Sequence, residues 1–225
     1  MKRSYINEKI KQGIAFLVDM GYFVPPFLYW SEADWKQKGH EYDEIRECML
    51  GWDITDFGWG DFDNTGLLVI TIRNGIHEND EYDKPYCEKA LIVQDKQVTP
   101  MHFHHFKMED IINRGGADLM IELYNADDNN ELANTPVLAR VDGRRYEVPA
   151  GSIRRLKPGE SITLPPRMYH TFWAEGNMAL IGEVSKVNDD NVDNHFLEAP
   201  GRFPSIEEDA PKKYLLFSEY PAAKQ

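Results

Sequence analysis

The sequence is short of the residues that mark several classes of protein. It has two cysteines in 225 residues, Cys48 and Cys87, and they stand in no spacing typical of a metal or redox site. No apolar run approaches the roughly 20 residues of a membrane span, and no apolar segment follows the basic first residues as in a signal peptide. We therefore expect reduced thiols in a cytoplasmic protein, although two cysteines also permit one disulfide bond.

Basic residues are also scarce, with 25 Lys and Arg against 38 Asp and Glu and a net charge of −13. Nucleic acid requires a basic surface that displaces counterions, so it is not expected as a partner. An anionic membrane surface is disfavoured for the same reason. A small, neutral molecule is compatible with this charge. The hydrophobic content of 42% suits one domain with a sizeable core.

The first fifty or so residues have a helical pattern. Asn7 is a predicted N-cap, and Gly21 is predicted to end the first helix. One face of that helix carries apolar residues at helical spacing: Ile10, Ile14 and Leu17. Ser31 is positioned to cap a second helix, and a third apolar-periodic segment runs towards residues 48–52. We expect residues 1–60 to form a helical extension packed on the main domain.

From about residue 66 the pattern changes to short segments rich in β-branched and aromatic residues, separated by Gly, Pro, Asn and Asp. The predicted strands are 67–72, 89–94, 109–114, 119–125, 144–148, 161–166, 170–176 and 179–185. Many short strands without helices between them favour an antiparallel sandwich or barrel. We assign the barrel to residues 61–200 of a single structural domain.

Residues 201–225 form an acidic, proline-containing C-terminal extension. Its segment KKYLLFSEY, residues 212–220, has a strand-like composition. We expect this extension to pack back on the barrel or on another subunit.

The segment MHFHHFKMED holds three of the seven histidines within four positions. On a strand, His102 and His104 share a face and His105 points the other way, so His105 is left for packing or for hydrogen bonding behind the site. Glu109 follows closely, and the next strand of a hairpin could bring it beside the two imidazoles. Two imidazoles and a carboxylate suit a first-row metal, although such clusters also occur on solvated loops. His170, taken alone, is typical of a core residue, but here it supplies a third imidazole.

These residues resemble the two motifs of the cupin family. The first motif, G-x5-H-x-H-x(3,4)-E-x6-G, is matched at His102, His104, Glu109 and Gly116. The second motif, G-x5-P-x-G-x2-H-x3-N, is matched at Gly159, Pro165 and His170. Three positions depart from the motifs and none of them is a ligand position: Lys96 and Arg167 stand in place of glycines, and Ala174 in place of asparagine.

The resemblance covers residues 65–200 and implies a mainly β fold, the cupin double-stranded β-helix or jelly-roll barrel. It also implies one metal centre inside the barrel, held by three histidines and one glutamate. Four protein ligands that leave two positions open suit octahedral Mn²⁺ or Fe²⁺ better than a closed tetrahedral zinc site.

Four charged residues are candidates for chemistry beside the metal. Lys107 lies two positions before Glu109 and can share its face. Lys89 and Glu183 lie on predicted strands, and a carboxylate in the otherwise apolar ALIGEV needs a partner. Asp193 lies in the polar run that follows. A solvated barrel exterior is the alternative for each of them, and a loop position for Asp193.

A divalent metal, a carboxylate and ammonium groups in one cavity suit proton abstraction next to a carbonyl, as in aldose–ketose isomerisation. The whole chain, with its helical start, is similar to the D-lyxose isomerase family. The segments that carry this likeness are TPMHFHHFKMEDIINRGG, LPPRMYHTFWAEG and GEVSKVNDDNVDNHF.

That likeness implies interconversion of D-lyxose and D-xylulose, and of D-mannose and D-fructose, by a cytoplasmic homodimer with Mn²⁺, with Fe²⁺, Co²⁺ or Zn²⁺ as other candidate metals. It implies an enediol route at a single metal. His102, His104, Glu109 and His170 match the family's metal ligands, and Lys89 and Lys107 its active-site lysines. Glu183 and Asp193 are candidates for the acid or base and for contacts to sugar hydroxyls.

Two other functions remain open on sequence alone. An Fe²⁺-dependent cupin dioxygenase would use an apolar oxygen pocket, which leaves Glu183 and Lys107 without a role. A sugar-binding cupin module without catalysis would need no acid/base pair.

Overall fold

The computed structural model describes residues 1–189, 192–198 and 205–224. Within them the helices are α1 (Arg3–Asp19), α2 (Glu32–Trp35) and α3 (Asp43–Glu47), and the 3₁₀ turns are Pro26–Tyr29, His40–Tyr42 and Phe217–Glu219. The first six strands are β1 (Gly51–Thr55), β2 (Leu67–Arg73), β3 (Tyr86–Val93), β4 (Val98–His104), β5 (Glu109–Ala126) and β6 (Leu132–Ala133). The next six are β7 (Val137–Val141), β8 (Arg144–Val148), β9 (Ser152–Leu156), β10 (Ser161–Leu164), β11 (Met168–Lys186) and β12 (Asn194–Phe196).

The strands pair antiparallel in the order β1-β2-β3-β11-β5-β10-β7-β8, while β4 pairs with β11 and β12, and β6 and β9 pair with β5. The predicted mainly β fold with an N-terminal helix is confirmed. No helix of the described residues is long and apolar enough to cross a membrane.

Strands β5 and β11 run side by side and connect the two halves of the barrel. The first half of β11 pairs with β4 and its second half pairs with β3. Each of these long strands was predicted as two short ones, at 109–114 and 119–125 and at 170–176 and 179–185. Gly115 and Gly116 adopt positive φ where the β5–β11 register shifts, and a Cβ at Gly116 would lie 2.3 Å from the Met178 carbonyl oxygen. Bulges at glycine bend each strand without ending it.

The first helix differs from the prediction at its start. It begins at Arg3, with Lys2 as N-cap, and Asn7 lies buried inside it. The Asn7 side chain donates to the Pro211 carbonyl oxygen over 2.9 Å and accepts from the Lys213 backbone N–H over 3.0 Å. The prediction that Asn7 caps the helix is therefore wrong, because its amide pairs with the C-terminal segment.

Other helix ends agree with the sequence. Gly21, at φ +63°, follows the last turn of α1, and its N–H bonds the Val18 carbonyl oxygen over 3.0 Å. Ser31 caps α2 with Asp34 in a capping box. Ile6, Ile10 and Leu17 of α1 are fully buried, and each contributes roughly 1.5–3 kcal/mol by leaving water.

Two segments were predicted wrongly. Residues 51–55, inside the region expected to be helical, form β1 and pair with β2. Met49 and Gly51 have positive φ, at +55° and +139°, which ends the helical path before β1. Within the described residues the segment 212–220 has no strand of its own; it forms the 3₁₀ turn Phe217–Glu219 and one bridge between Leu216 and Trp52. The C-terminal segment packs back on α1 and β1 of the same chain.

Candidate metal centre

The three predicted histidine ligands lie together on two paired strands. His102 and His104 are on the same face of β4, and His170 of β11 stands directly opposite His102. All three are buried, and one ring nitrogen of each lies within 4.8 Å of the others. The cluster could hold a metal ion.

Backbone carbonyl groups determine which ring nitrogen carries the hydrogen in His102 and in His170. His102 Nδ1 lies 2.7 Å from the Pro100 carbonyl oxygen, and His170 Nδ1 lies 3.0 Å from that of Met168. A carbonyl oxygen only accepts, so each Nδ1 carries the hydrogen and each Nε2 presents a lone pair. Burial, and then the neighbouring His170 and His104, lower the pKa of His102 well below its usual value. Its ring is therefore neutral, as a metal ligand must be.

Glu109, the first residue of β5, faces this cluster. Its Oε1 lies 3.2 Å from His104 Nε2 and 3.3 Å from His170 Nε2. Ligands at about 2.1 Å from a metal and at right angles to each other lie about 3 Å apart, so these separations fit one shared ion. Burial acts to raise the pKa of Glu109, but Lys107 and His104 outweigh it and hold the pKa well below its usual value. Glu109 therefore carries a negative charge and can give an electron pair to a metal ion.

The predicted hairpin between the histidine strand and Glu109 does not form. β4 pairs with β11 and β12, whereas β5 pairs with β6, β9, β10 and β11. Strands β4 and β5 both pair with β11, and this shared strand brings Glu109 of β5 beside the imidazoles of β4.

Asp193 lies behind His104. Its carboxylate accepts the backbone N–H groups of Phe106 over 2.7 Å and Lys107 over 3.1 Å, and its Oδ2 is 4.0 Å from His104 Nδ1. That Nδ1 is buried and has no hydrogen-bond partner within the part of the chain that the structure describes. Burial, and then Lys107, lower the pKa of His104. Asp193 thus holds the segment between β4 and β5 and is not among the residues that line the cavity.

Lys107 lies beside Glu109 at the edge of the cluster. Its Nζ is 2.8 Å from Glu109 Oε2, 2.8 Å from Glu183 Oε1 and 3.1 Å from Asn188 Oδ1. Lys107, Glu109 and Glu183 are all buried. One ammonium group thus joins the carboxylate nearest the histidines to a second carboxylate in the cavity wall. The nearby Lys89 Nζ lies 3.8 Å from Glu183 Oε1.

Strand register explains why Lys89 and Glu183 meet. Lys89 of β3 is opposite Glu183 of β11 on one side and opposite Thr71 of β2 on the other. Residues in register on neighbouring strands point to the same face. Thr71, Lys89 and Glu183 therefore form one polar row on the cavity wall, and all three line the cavity.

Asn74 and Asn188 also line the cavity, and they were not predicted from the sequence as site residues. The Asn74 side chain donates to the Asn188 carbonyl oxygen over 2.9 Å and accepts its N–H over 3.0 Å, which holds Asn188 against Lys107. These asparagines are 114 positions apart, and nothing local pairs them. Thr71 was missed as well, although it falls within the predicted strand at 67–72.

His105 lies apart from the cluster. Its ring centroid is 5.0 Å from Phe103 and 5.7 Å from His195, and the Phe103 and His195 rings stack at 4.8 Å. The His105 backbone N–H bonds the Asp193 carbonyl oxygen over 3.0 Å. His105 packs in an aromatic group and does not line the cavity.

An antiparallel barrel with a buried three-histidine cluster in its cavity defines a cupin-type protein. Solved structures of similar fold include an L-ribose isomerase from Geodermatophilus obscurus, with a TM-score of 0.60 at 16% identity, covering 92% of this chain and 98% of that one. An L-ribose isomerase from Acinetobacter sp. DL28 has a TM-score of 0.58 at 15% identity, covering 89% and 94%.

The D-lyxose isomerase family model matches residues 1–220 of this chain. A D-lyxose/D-mannose isomerase from Escherichia coli O157:H7 is 47% identical over 223 residues, 98% of each chain, and one from Serratia proteamaculans is similar to the same extent. The chain belongs to the D-lyxose isomerase family.

Proposed function

We propose that this protein is a metal-dependent aldose–ketose isomerase that interconverts D-lyxose and D-xylulose, and D-mannose and D-fructose. Membership of the family and relatives named for D-lyxose and D-mannose support the substrates. The observation that supports the chemistry is the pair of contacts made by Lys107. Its ammonium group lies 2.8 Å from Glu109, in the histidine cluster, and 2.8 Å from Glu183.

The donor set suits a divalent cation of the Mn²⁺ or Fe²⁺ type. Three neutral imidazoles and one carboxylate would hold it: His102, His104, His170 and Glu109. When bound, the cation supplies Lewis-acid polarisation of the carbonyl and hydroxyl oxygens of an open-chain sugar. Co²⁺ and Zn²⁺ have affinity for the same ligands, so we assign Mn²⁺ from the family likeness and would test it by metal analysis of protein purified without added metal.

The proton is moved by residues of the chain. Glu183 takes the proton from C2 of the aldose and returns it to C1, which makes the ketose through an enediol. Lys107 donates hydrogen bonds to the oxygen that gains negative charge. The hydroxyl proton passes from O2 to O1, and Lys107 carries it. Lys89, whose Nζ lies 3.8 Å from Glu183 Oε1, adds a second positive charge beside this carboxylate group.

We further propose that Asp193 acts through the segment it holds, without contact to the sugar. Two observations support this: its carboxylate oxygens accept the backbone N–H groups of Phe106 and Lys107, and Asp193 is not among the residues that line the cavity. We also propose a cytoplasmic homodimer, on the strength of the family likeness. Sedimentation equilibrium of the purified protein tests the dimer.

The test is an assay for ketose with purified protein, Mn²⁺ and a panel of pentoses and hexoses. We expect D-lyxose and D-mannose to react, chelation to abolish the reaction and Mn²⁺ to restore it. Glu183→Gln should be inactive while binding metal normally, and Glu175→Gln, at an exposed position, should retain activity. No ketose from any aldose would overturn the proposal, and oxygen consumption with a catechol or thiol would favour a dioxygenase.

Solvent deuterium tests the enediol route. In D₂O, proton transfer through Glu183 should place deuterium on C1 of the ketose. Starting from sugar that carries deuterium at C2, the label should be lost to ordinary water over repeated turnover. No deuterium at C1 in the first experiment, together with complete transfer of the C2 label to C1 in the second, would indicate a hydride shift.

A further inference from the structure

The C-terminal segment reaches the sugar cavity. We call residues 205–220 the C-terminal strap. Phe217, in its 3₁₀ turn, lines the same cavity as the three histidines, Lys107 and Glu183. Phe217 is half-buried, so its ring also borders solvent. A residue from outside the barrel therefore completes the cavity wall.

A buried ion pair holds the strap against α1. Arg3 is fully buried, and its guanidinium donates to Glu208 over 2.9 Å and to Glu219 over 3.2 Å. The Glu219 carboxylate also accepts the Leu216 backbone N–H over 3.0 Å. Glu219 thus closes the turn that carries Phe217 and ties that turn to α1.

The start of β1 is shaped to receive the strap. Tyr220 stacks on Trp35 with ring centroids 4.0 Å apart. A Cβ at Gly51 would lie 2.0 Å from the Tyr220 hydroxyl oxygen and 3.4 Å from Phe217 Cβ. Only glycine allows this approach at Gly51, which also has φ +139°. The residues that follow Phe217 in the strap, Glu219 and Tyr220, are therefore held by α1, α2 and β1.

Phe217 lies far from the reacting end of the site. Gly51, beside Phe217, is opposite Thr71, which is opposite Lys89, which is opposite Glu183. Phe217 lines the same cavity as Glu183 and Lys107, from the other end of this row.

We propose that Phe217 is a specificity-determining residue of the sugar site. Its ring faces the carbons of the sugar beyond C2 and limits how long a carbon chain fits, so the C-terminal strap sets the preference between pentose and hexose. An aromatic ring suits this place because a sugar presents C–H groups between its hydroxyls. This inference rests on the proposed isomerase function.

The test compares kcat and KM for D-lyxose and D-mannose in wild-type protein and in Phe217→Ala. We expect KM for D-lyxose to rise by about tenfold, with a smaller change in kcat, because the ring contacts the sugar and not the reacting atoms. The ratio of kcat/KM for D-mannose to that for D-lyxose should rise by about fivefold or more. Phe217→Leu, which keeps bulk and preserves folding, should lie between the two. The matched control is Ser218→Ala, an exposed neighbour in the same turn.

Two further measurements distinguish a direct contact between Phe217 and the sugar from an indirect effect of the substitution on the fold. The Kd of an unreactive pentitol should rise in Phe217→Ala while bound metal per chain stays unchanged. Glu219→Gln should shift the sugar ratio in the same direction, and should add little in the Phe217→Ala background because both act through one ring. An equal shift in both backgrounds would overturn the anchoring role of Glu219.

The outcomes are distinguishable from failure of the proposed function. A wild-type protein that isomerises no sugar would contradict the proposed function itself. A wild-type protein that isomerises both sugars, with folded Phe217→Ala and Phe217→Leu variants that keep its sugar ratio within twofold, would overturn only the role of Phe217.

Discussion

Lys107 and Glu183 are 76 positions apart in the chain, and in the fold the Lys107 ammonium donates to Glu183 Oε1 over 2.8 Å. Both side chains are buried, and the same ammonium lies 2.8 Å from Glu109 Oε2. A buried charge is stable only when it is paired, so these three groups depend on one another. In the proposed reaction, Lys107 and Glu183 act as an acid/base pair beside the histidine cluster.

Replacing Lys107 by methionine should lower kcat for D-lyxose by about 10²-fold or more, because the charge that develops on the sugar oxygen loses its donor. Metal content should stay within the error of the wild-type value, measured by mass spectrometry of bound metal. Lys157→Met, at an exposed lysine, is the control. Unchanged turnover in Lys107→Met would show that this lysine serves only as a structural partner of its two carboxylates.

His170→Gln should remove most of the stabilisation of the protein by Mn²⁺. A ligand at about 100 times its Kd stabilises the folded state by about 2.7 kcal/mol, and the loss of one of three imidazoles removes most of this. Thermal unfolding with and without MnCl₂ measures the effect. His105→Gln, at the residue that follows His104 and packs in the aromatic group, should keep the full shift. Equal shifts in both variants would place the ion elsewhere.

Two non-glycine residues occupy left-handed backbone positions where the cupin motifs have glycine. Lys96 has φ +61° and Arg167 has φ +63°. Lys96→Gly should raise the free energy of unfolding by about 0.5–1 kcal/mol, since a left-handed conformation costs about 1–2 kcal/mol in other residues and glycine loses part of that gain through its flexibility. Urea titration measures it, and a loss of stability would show that the Lys96 side chain contributes more than the backbone strain costs.

Arg167→Gly is the contrasting variant. The Arg167 guanidinium donates to Asn130 Oδ1 over 2.8 Å and also to the Asp127 carbonyl oxygen, and it stands 5.2 Å from the Phe103 ring. Losing these contacts should outweigh the relief of strain, so this variant should be destabilised in the same titration.

Cys48 should react slowly with a disulfide reagent in the folded protein. Burial raises its pKa from 9.0 to about 11, so at pH 8 about one thiol in 10³ is ionised, against about one in 10 when unfolded. The thiol form stabilises the fold below about pH 9, and this contribution is lost as the pH rises towards 11. A Cys87→Ser variant isolates Cys48. Reaction at the same rate in buffer and in denaturant would contradict the burial.

Much of the fold was predictable because its signals are local. Strands with β-branched residues, the glycine that ends α1 and the capping box of Ser31 each depend on a few neighbouring residues. The failures came where distant parts of the chain decide the outcome. Asn7 has the composition of a cap, yet it pairs with Pro211 and Lys213 inside the fold. β1 forms because β2 is there to pair with it.

The candidate ligands were predictable without the fold, because a period of two puts His102 and His104 on one face and the motif spacing adds Glu109 and His170. The residues around these ligands depend on how the chain folds. Strand register places Lys89 beside Glu183, and two asparagines 114 positions apart hold each other beside Lys107. A strap from the end of the chain brings Phe217 to the cavity wall. These contacts are between residues far apart in sequence. The spacing of residues along the chain therefore cannot predict them.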